Sequence, residues 1–342
     1  MSVVADAIAG LAREIGRLTA ELGRRVVIDE REVANRGQSL ALKPPGLWSP
    51  NRSCRLVRTA DGWIAVNLPR ESDIASVPAW IGCDADAKPW PAILKAARHR
   101  TWSGLVADAR LLGLPVCAVG EVHAESLDAP LQRRGGGHDR RGRSAIKVID
   151  LSSMWAGPLC GAVLAAAGWA VTKVESRARP DTTRVATPGM FDRLNGEKTH
   201  QSIDLSDPAD IAWLREQIAG ADVVVTSARP RAFEQLGLTP GSMFLRNPGL
   251  TWVAISGYGW LDEQADRVAF GDDAAAAGGL VRRLQGGEPR FMGDALADPL
   301  TGLAAAVGAL KSVQRGGGFV VDAALAVTAA GVAGRVAGRH AA

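Results

Sequence analysis

The chain of 342 residues is long enough for two domains, each with its own core. Its apolar content of 47% and charged content of 22% are ordinary for a globular protein, and no apolar run is long enough to cross a membrane. The formal charge of +4 suits a small anionic ligand and is too small, and too evenly mixed with acids, to indicate a nucleic-acid partner.

Cysteine and histidine usage indicates the compartment and argues against a metal. The four cysteines show no CxxC pairing and stand in apolar stretches, which predicts reduced thiols in a cytoplasmic protein. The first residues lack the apolar core of a signal peptide. Because the five histidines are scattered, we expect no metal site.

The first 131 residues predict a helix followed by a small α+β domain. Apolar residues at alternating steps of four and three, from Val4 to Leu22, predict a helix over residues 3–23 that packs on its own domain. The Asp61-Gly62 dipeptide between two β-prone runs predicts a hairpin over residues 54–69. Three helical patterns and a short strand complete the domain, at residues 73–81, 90–98, 100–112 and 115–120.

Residues 132–144, QRRGGGHDRRGRS, contain no apolar residue and therefore predict a flexible, exposed linker. A phosphate-binding glycine loop is disfavoured because no predicted strand precedes Gly135. We therefore divide the chain into residues 1–131, the linker 132–144, and a large domain over residues 145–342.

From residue 145 onward, short β-branched strands alternate with helices. Such alternation predicts a parallel sheet that is covered on both faces. The fold class predicted is α/β: a large domain with a Rossmann-like parallel sheet flanked by helices, plus a smaller α+β domain placed N-terminally. The strands are predicted at residues 145–152, 170–175, 222–227, 250–256 and 319–326, and closely packed helices at 271–312.

Asp298 stands at the start of a long run of small apolar residues. Followed by Pro299, it predicts a helix N-cap with proline at the first helical position. A carboxylate at a helix N-terminus is held ionised by the helix dipole and by free backbone N–H groups.

Six segments in one order resemble the family III CoA-transferases, the CaiB/BaiF group. Several dispersed motifs over about two hundred residues are a far stronger signal than any single pattern. The segments are VIDLSSMWAGPLCGAVLAAAGWAVTKVE (148–175), RPDTTR (179–184), NGEKTHQSIDL (195–205), DVVVTSARPRAFEQLGL (222–238), NPGLTWVAISGYG (247–259) and DPLTGLAAAVGAL (298–310).

This resemblance implies transfer of coenzyme A between an acyl-CoA and a free carboxylic acid, through an aspartyl anhydride and an aspartyl-CoA thioester. It implies that Asp298 is the nucleophile, since this residue matches the family's catalytic aspartate. It further implies coenzyme A as substrate, no metal, and a homodimer of the interlocked kind. The residues assigned to coenzyme A are Met154, Trp155 and Ala156, between a strand and a helix, with the basic residues Arg184, Lys198 and Arg229.

The order of the segments differs from that of the family. TADGWIAVNLP (59–69) and GLPVCAVGEVHAES (113–126) resemble stretches that usually follow the large domain, yet here they precede it. We interpret the chain as a circular permutant, or as the tail of one copy fused to the head of another.

Two alternatives remain open at this point. An α-methylacyl-CoA racemase needs a base near the catalytic aspartate, and no histidine lies between His200 and His340. A non-catalytic or weakened CoA-binding member is favoured by departures from the family pattern at Ser176, Gln235 and Gly271.

Overall fold

The computed structural model describes residues 2–37, 40–137, 145–261 and 263–340. The helices are α1 (Ser2–Glu21), α2 (Glu71–Ile81), α3 (Pro89–Ala97), α4 (Trp102–Leu111), α5 (Ala156–Ala166), α6 (Thr183–Ala186), α7 (Pro188–Asn195), α8 (Pro208–Ala219), α9 (Pro230–Leu236), α10 (Pro240–Arg246), α11 (Gly271–Ala277), α12 (Ala297–Gln314) and α13 (Leu325–His340). The strands are β1 (Cys54–Arg58), β2 (Trp63–Asn67), β3 (Val116–Ala118), β4 (Leu131–Arg133), β5 (Lys147–Leu151), β6 (Ala170–Ser176), β7 (Thr199–Ile203), β8 (Val223–Thr226), β9 (Thr251–Ser256), β10 (Val281–Arg283), β11 (Pro289–Phe291) and β12 (Phe319–Ala324).

The large sheet has seven strands in the order β4-β12-β9-β8-β5-β6-β7. Every pairing is parallel except that of β4 with β12, which is antiparallel. The interior strands β8 and β12 are buried along their whole length, as expected for a sheet covered on both faces. The predicted α/β class, with a large parallel sheet flanked by helices, is confirmed.

Strand β4 changes the interpretation of the predicted linker. Gln132 and Arg133 pair with β12, and the Arg133 guanidinium lies 4.1 Å from the centroid of the Phe319 ring. Edge pairing uses backbone N–H and C=O groups, so a polar sequence serves as well as an apolar one. The first two residues of the predicted linker therefore belong to the sheet, and residues 138–144 lie outside the described residues.

The small antiparallel sheet has the order β1-β2-β3 and includes the predicted hairpin, with Arg58 opposite Trp63. It is joined to α11 by backbone hydrogen bonds: the N–H groups of Gly120 and Val122 donate to Ala276 and Ala277, each at 2.9 Å. The N-terminal module is thereby placed directly against the large sheet's helices.

Helix α1 forms as predicted but packs elsewhere than expected. Its apolar residues, among them Ile15 and Leu18, are buried against α12 and α13 rather than against the small sheet. The periodicity gave the apolar face of the helix, whereas its docking partner depends on long-range packing. The domain division at residue 131 stays a prediction.

The region from 271 to 312 contains more than the closely packed helices that were predicted. A two-stranded hairpin, β10 and β11, separates α11 from α12. Helix α12 is almost wholly buried, and its small residues allow close approach: a Cβ at Gly302 would lie 2.6 Å from the carbonyl oxygen of Ala156 in α5. Helices α12 and α5 therefore pack backbone against backbone.

Within the described ranges, no helix has the length and apolar character that crossing a bilayer requires. In the same ranges, no cluster of three or more His, Cys, Asp or Glu side chains is arranged to hold a metal ion. The four cysteines are free; Cys54, Cys117 and Cys160 are buried and Cys83 is partly exposed.

Candidate active site

A cavity of about 550 Å³ lies at the carboxyl ends of the parallel strands. Residues that follow β5, β8, β9 and β12 line it, together with the loop that precedes α11. In open parallel sheets this edge is where ligands bind, since strand ends and helix N-termini meet there. The Asp298 side chain, partly exposed, contributes to the wall.

Asp298 is not the N-cap of α12. The helix begins at Ala297, the N-cap is Leu296, and no side chain caps the helix. The Asp298 backbone N–H donates to the carbonyl of Ala295 at 2.9 Å, so the residue lies inside the first turn. The chain enters the helix through Ala295, whose φ of 44° is left-handed, and the helix starts two residues earlier than predicted.

The ionisation of Asp298 also differs from the prediction. Burial is the largest influence and raises the pKa of its carboxyl to about 7, while Arg36 opposes the rise and Asp272 and Asp294 add to it. The backbone N–H of Gly271 donates to the carboxylate and favours the charged form. Helix-start geometry alone therefore does not keep this carboxyl ionised.

Gly271 lies directly beneath the Asp298 carboxyl. A Cβ there would meet Asp298 Oδ2, as well as Cβ and the carbonyl oxygen of Ala295, both at 2.7 Å. Only a residue without a side chain leaves the carboxyl this close to the backbone N–H. Glycine at position 271 therefore makes room for the Asp298 carboxyl.

The Asp272 carboxylate is one of two further acidic groups that act on Asp298. Asp272 accepts from the Ala295 N–H at 2.8 Å and from Asn51 Nδ2 at 3.1 Å. Burial, followed by the charge of Asp294, raises the pKa of Asp272 to about 6. These bonds tie α11 to the turn that precedes α12.

Arg36 supplies the positive charge at this cluster. Its Nε donates to Asp294 Oδ2 at 2.5 Å and its Nη2 donates to Asp294 Oδ1, a bidentate pair. The guanidinium lies 5.5 Å from the centroid of the Trp155 ring. Residues distant in sequence, 36 and 294, are thereby joined beside Asp298.

Asp273 is buried beneath the same helix start. It accepts from Asn67 Nδ2 at 2.7 Å and from the Phe270 N–H at 3.0 Å. Burial raises the pKa of its carboxyl to about 8. Because Asn67 ends β2, this contact fastens the small sheet to the cavity wall.

The loop after β5 forms the opposite side of the cavity. Met154 lines it with a left-handed φ of 73°, and its backbone N–H donates to Asp181 Oδ2 at 3.1 Å. Ala156 also lines the cavity, whereas Trp155 is buried behind the loop. Of the three residues assigned to coenzyme A in this loop, Met154 and Ala156 reach the cavity.

Of the three basic residues assigned to coenzyme A, one lines the cavity and two do not. Arg229 lines the cavity together with Arg179 and Arg231, and within the described ranges none of these three guanidinium groups has an ion-pair partner. Burial, followed by the charge of Arg231, lowers the pKa of Arg229. These three residues are the cavity's available cations for an anionic ligand.

Arg184 and Lys198 do not line the cavity. Arg184 pairs with Glu175 at 2.5 Å and lies 4.1 Å from the Phe191 ring centroid. Lys198 Nζ is buried and donates to Asp150 Oδ2 at 2.7 Å, besides Pro158 O and Asn195 Oδ1, both at 2.9 Å. A motif match gives a residue's place in the fold; burial decides whether its charge is available.

Sequence reasoning missed Arg36, Asp272 and Arg231. Arg36 carries no local signal, because its partner is 258 residues away. Asp272 follows Gly271 immediately, and its bond to the Ala295 N–H spans 23 residues, so it too has no local signal. Arg231 lies one helical turn before Gln235 on α9, so the i, i+4 spacing could have revealed that both face the cavity.

Comparison with known proteins decides the family. Residues 144–342, more than half of the chain, match the family described as CoA-transferase family III. The chain belongs to CoA-transferase family III. The family match covers the large sheet from β5 onward and includes Asp298 and the loop at Met154.

Relatives with named activities cover the same part of the chain. The succinyl-CoA–D-citramalate CoA-transferase of Chloroflexus aurantiacus is 32% identical over 191 residues, 52% of this chain and 47% of its own. The succinate–glutarate CoA-transferase of Agrobacterium fabrum is 29% identical over 201 residues, 53% of this chain and 50% of its own. The chain thus spans about half the length of the curated relatives it matches.

A solved structure gives the same result for the fold. The crystal structure of a CaiB/BaiF family protein from Brucella suis superposes with a TM-score of 0.53 at 26% identity, covering 61% of this chain and 58% of that one. The similarity supports assigning the large sheet to the CaiB/BaiF fold.

Proposed function

We propose that the protein transfers coenzyme A from an acyl-CoA to a free carboxylic acid, with Asp298 as the nucleophile. The observation that carries this proposal is the position of Asp298, the residue matching the family's catalytic aspartate, in the wall of the cavity at the carboxyl ends of the strands. Family membership and the named CoA-transferases among the relatives support the reaction class.

In the first half-reaction, an Asp298 carboxylate oxygen attacks the thioester carbonyl of the donor. The C–S bond breaks, giving a mixed anhydride and the CoA thiolate. The thiolate then attacks the aspartyl carbonyl, releasing the donor acid as its carboxylate and leaving CoA bound to Asp298 as a thioester. Each step uses the covalent catalysis that a carboxylate can provide.

In the second half-reaction, the acceptor carboxylate attacks the aspartyl thioester and again expels the CoA thiolate. The thiolate attacks the acceptor carbonyl of the new anhydride, which gives the acceptor acyl-CoA and restores the Asp298 carboxylate. No net proton is taken up, so the cavity needs to hold an anionic acid and CoA in turn. The unpaired Arg179, Arg229 and Arg231 suit the phosphates of CoA.

The pKa of Asp298 sets the expected pH dependence. Because only the ionised carboxyl attacks, and burial raises its pKa to about 7, the rate should rise with pH through the neutral range. A reaction requiring protonated Asp298 would show the opposite slope.

Two alternatives make different predictions. A racemase needs a second proton-transfer group, and among the described residues no histidine lines this cavity. A weakened CoA-binding member would retain the cavity but form no covalent adduct. The departures at Ser176 and Gln235 motivate this second alternative.

Trapping the covalent intermediate distinguishes the three. Wild type, Asp298→Asn and the control Asp207→Asn are incubated with short-chain acyl-CoAs and hydroxylamine, and modified peptides are mapped by mass spectrometry. The control replaces an exposed helix cap, and asparagine caps equally well. A transferase gives an Asp298 hydroxamate in wild type and control only. Solvent deuterium at the substrate α-carbon without an adduct indicates a racemase, and CoA binding without either indicates the weakened member.

We also propose that the segment order arose by circular permutation or by fusion of half-copies, and that the protein is a homodimer with interlocked protomers. The small sheet's resemblance to stretches that follow the large domain in the family supports the first proposal. Light scattering after gel filtration tests the second, since a monomer at micromolar concentration would refute it.

A further inference from the structure

One component of the site comes from outside the family-matched residues. Arg36 belongs to the segment that follows α1, whereas the match covers residues 144–342. The segment is held near the site by Arg193 of α7, whose Nη1 donates to Glu32 Oε2 at 3.2 Å and whose Nη2 donates to Asn35 O. The chain is therefore anchored to α7 immediately before Arg36.

Arg36 is set against two carboxylates that act on Asp298, while Arg179, Arg229 and Arg231 line the same cavity. Asp272 lies on α11, and Asp294 lies in the turn that precedes α12. Helix α5, which packs against α12, contains no charged residue. Among the described groups that chiefly influence Asp298, Arg36 is the one cation. Its side chain is only 17% exposed, so water screens this charge weakly.

The bidentate pair also fixes geometry. Asp294 precedes Ala295, whose N–H is bound by Asp272 and whose carbonyl accepts from the Asp298 N–H. Holding Asp294 therefore holds the turn from which α12 starts. The planar guanidinium suits both the carboxylate fork and the stack on Trp155.

We propose that Arg36 is a positioning residue: it binds Asp294 at the start of α12 and supplies the positive charge that favours the Asp298 carboxylate. This inference rests on the proposed function of Asp298. It assigns a catalytic contribution to the N-terminal segment, which the family match does not include.

The test compares Arg36→Gln, Arg36→Met and Arg36→Lys with wild type and with Arg17→Gln. Arg17 is an exposed arginine of α1 that pairs with Glu14 and Glu21, so its variant controls for a change in N-terminal charge. Methionine keeps an unbranched stem against Trp155, so it serves if the glutamine variant does not fold. The readout is the pH profile of kcat/KM for CoA transfer.

Loss of the cation should raise the pKa of Asp298, so the acidic limb should move to higher pH by about one unit or more. Arg36→Lys should bring the acidic limb part of the way back to its wild-type position, because lysine keeps the charge but loses the bidentate geometry. Arg17→Gln should retain the wild-type profile. A profile unchanged in Arg36→Gln or Arg36→Met, with activity merely scaled, overturns the inference while leaving the proposed function intact.

Failure of the proposed function is recognised separately, as absence of transfer and of the Asp298 adduct in wild type. The Asp298 carboxyl is then titrated directly by NMR on ¹³C-aspartate-labelled protein, with Asp298→Asn to assign its signal. An upward shift in the charge-neutral Arg36 variants supports the electrostatic contact, and an unshifted signal refutes it.

Discussion

Adding one methyl group at Gly271 should displace the Asp298 carboxyl. The new Cβ would lie 2.7 Å from both Cβ and O of Ala295, and closer still to Asp298 Oδ2. Nonbonded carbon atoms prefer about 3.5–4.0 Å, so a movement of roughly 1 Å is required. The Asp298 side chain has to move away from the new Cβ, and any shift of Ala295, whose carbonyl accepts from the Asp298 N–H, moves Asp298 further.

Gly271→Ala should therefore lose about 1–3 kcal/mol of unfolding free energy by overpacking. It should also lose about 100-fold in the rate of Asp298 labelling by acyl-CoA and hydroxylamine, as expected for a 1 Å misplacement. Urea denaturation and the labelling time course measure the two effects. Gly189→Ala on α7 is the matched control, because a Cβ there meets nothing within 4 Å. Wild-type stability and wild-type labelling in Gly271→Ala would refute the reasoning.

Three further outcomes are expected. Lys198→Met leaves the Asp150 carboxylate buried without its ion pair and should cost about 3–5 kcal/mol in urea denaturation, with unchanged CoA affinity of the folded protein. Burial raises the pKa of Asp273 from 3.8 to about 8, so the fold favours its protonated form. In urea titrations, the unfolding free energy of wild type should therefore fall relative to that of Asp273→Asn as pH rises from 3.8 to 8. Parallel pH curves for the two proteins would contradict this. Arg229→Gln and Arg231→Gln should each weaken CoA binding by about 10-fold or more in calorimetry, the loss of a charge-assisted hydrogen bond, while pantetheine binding, which lacks the nucleotide phosphates, should not change.

Elements with strong local signals were predicted well. The β-branched runs of β8 and β9 formed strands within one residue of the expected bounds, since buried parallel strands need continuous apolar sequence. The N-cap of α8 likewise depends on local sequence, since the Asp207 side chain, just before Pro208, accepts from the Ala209 N–H at 2.8 Å. Local chemistry determined these features, so one sequence sufficed.

Elements stabilised by distant partners were not predicted. Strands β4 and β7 are polar, and they exist because a neighbouring strand offers backbone partners at the sheet edge. In the site, the motif match led to Asp298, whereas Arg36 required the folded chain. The start of α12 was misplaced because the left-handed turn at Ala295 has no sequence signature; alanine rarely adopts it.

The backbone contact between α12 and α5 bears on how acyl groups of different length could be told apart. Gly302 lies one helical turn beyond Asp298, and a Cβ there would lie 2.6 Å from the carbonyl oxygen of Ala156, so a larger side chain at this position would push α12 and α5 apart. Under the proposed function, side-chain exchange in residues 265–270 and α9, which line the cavity, is expected to change the space left for an acyl group. Engineering a new acyl preference should begin on that face.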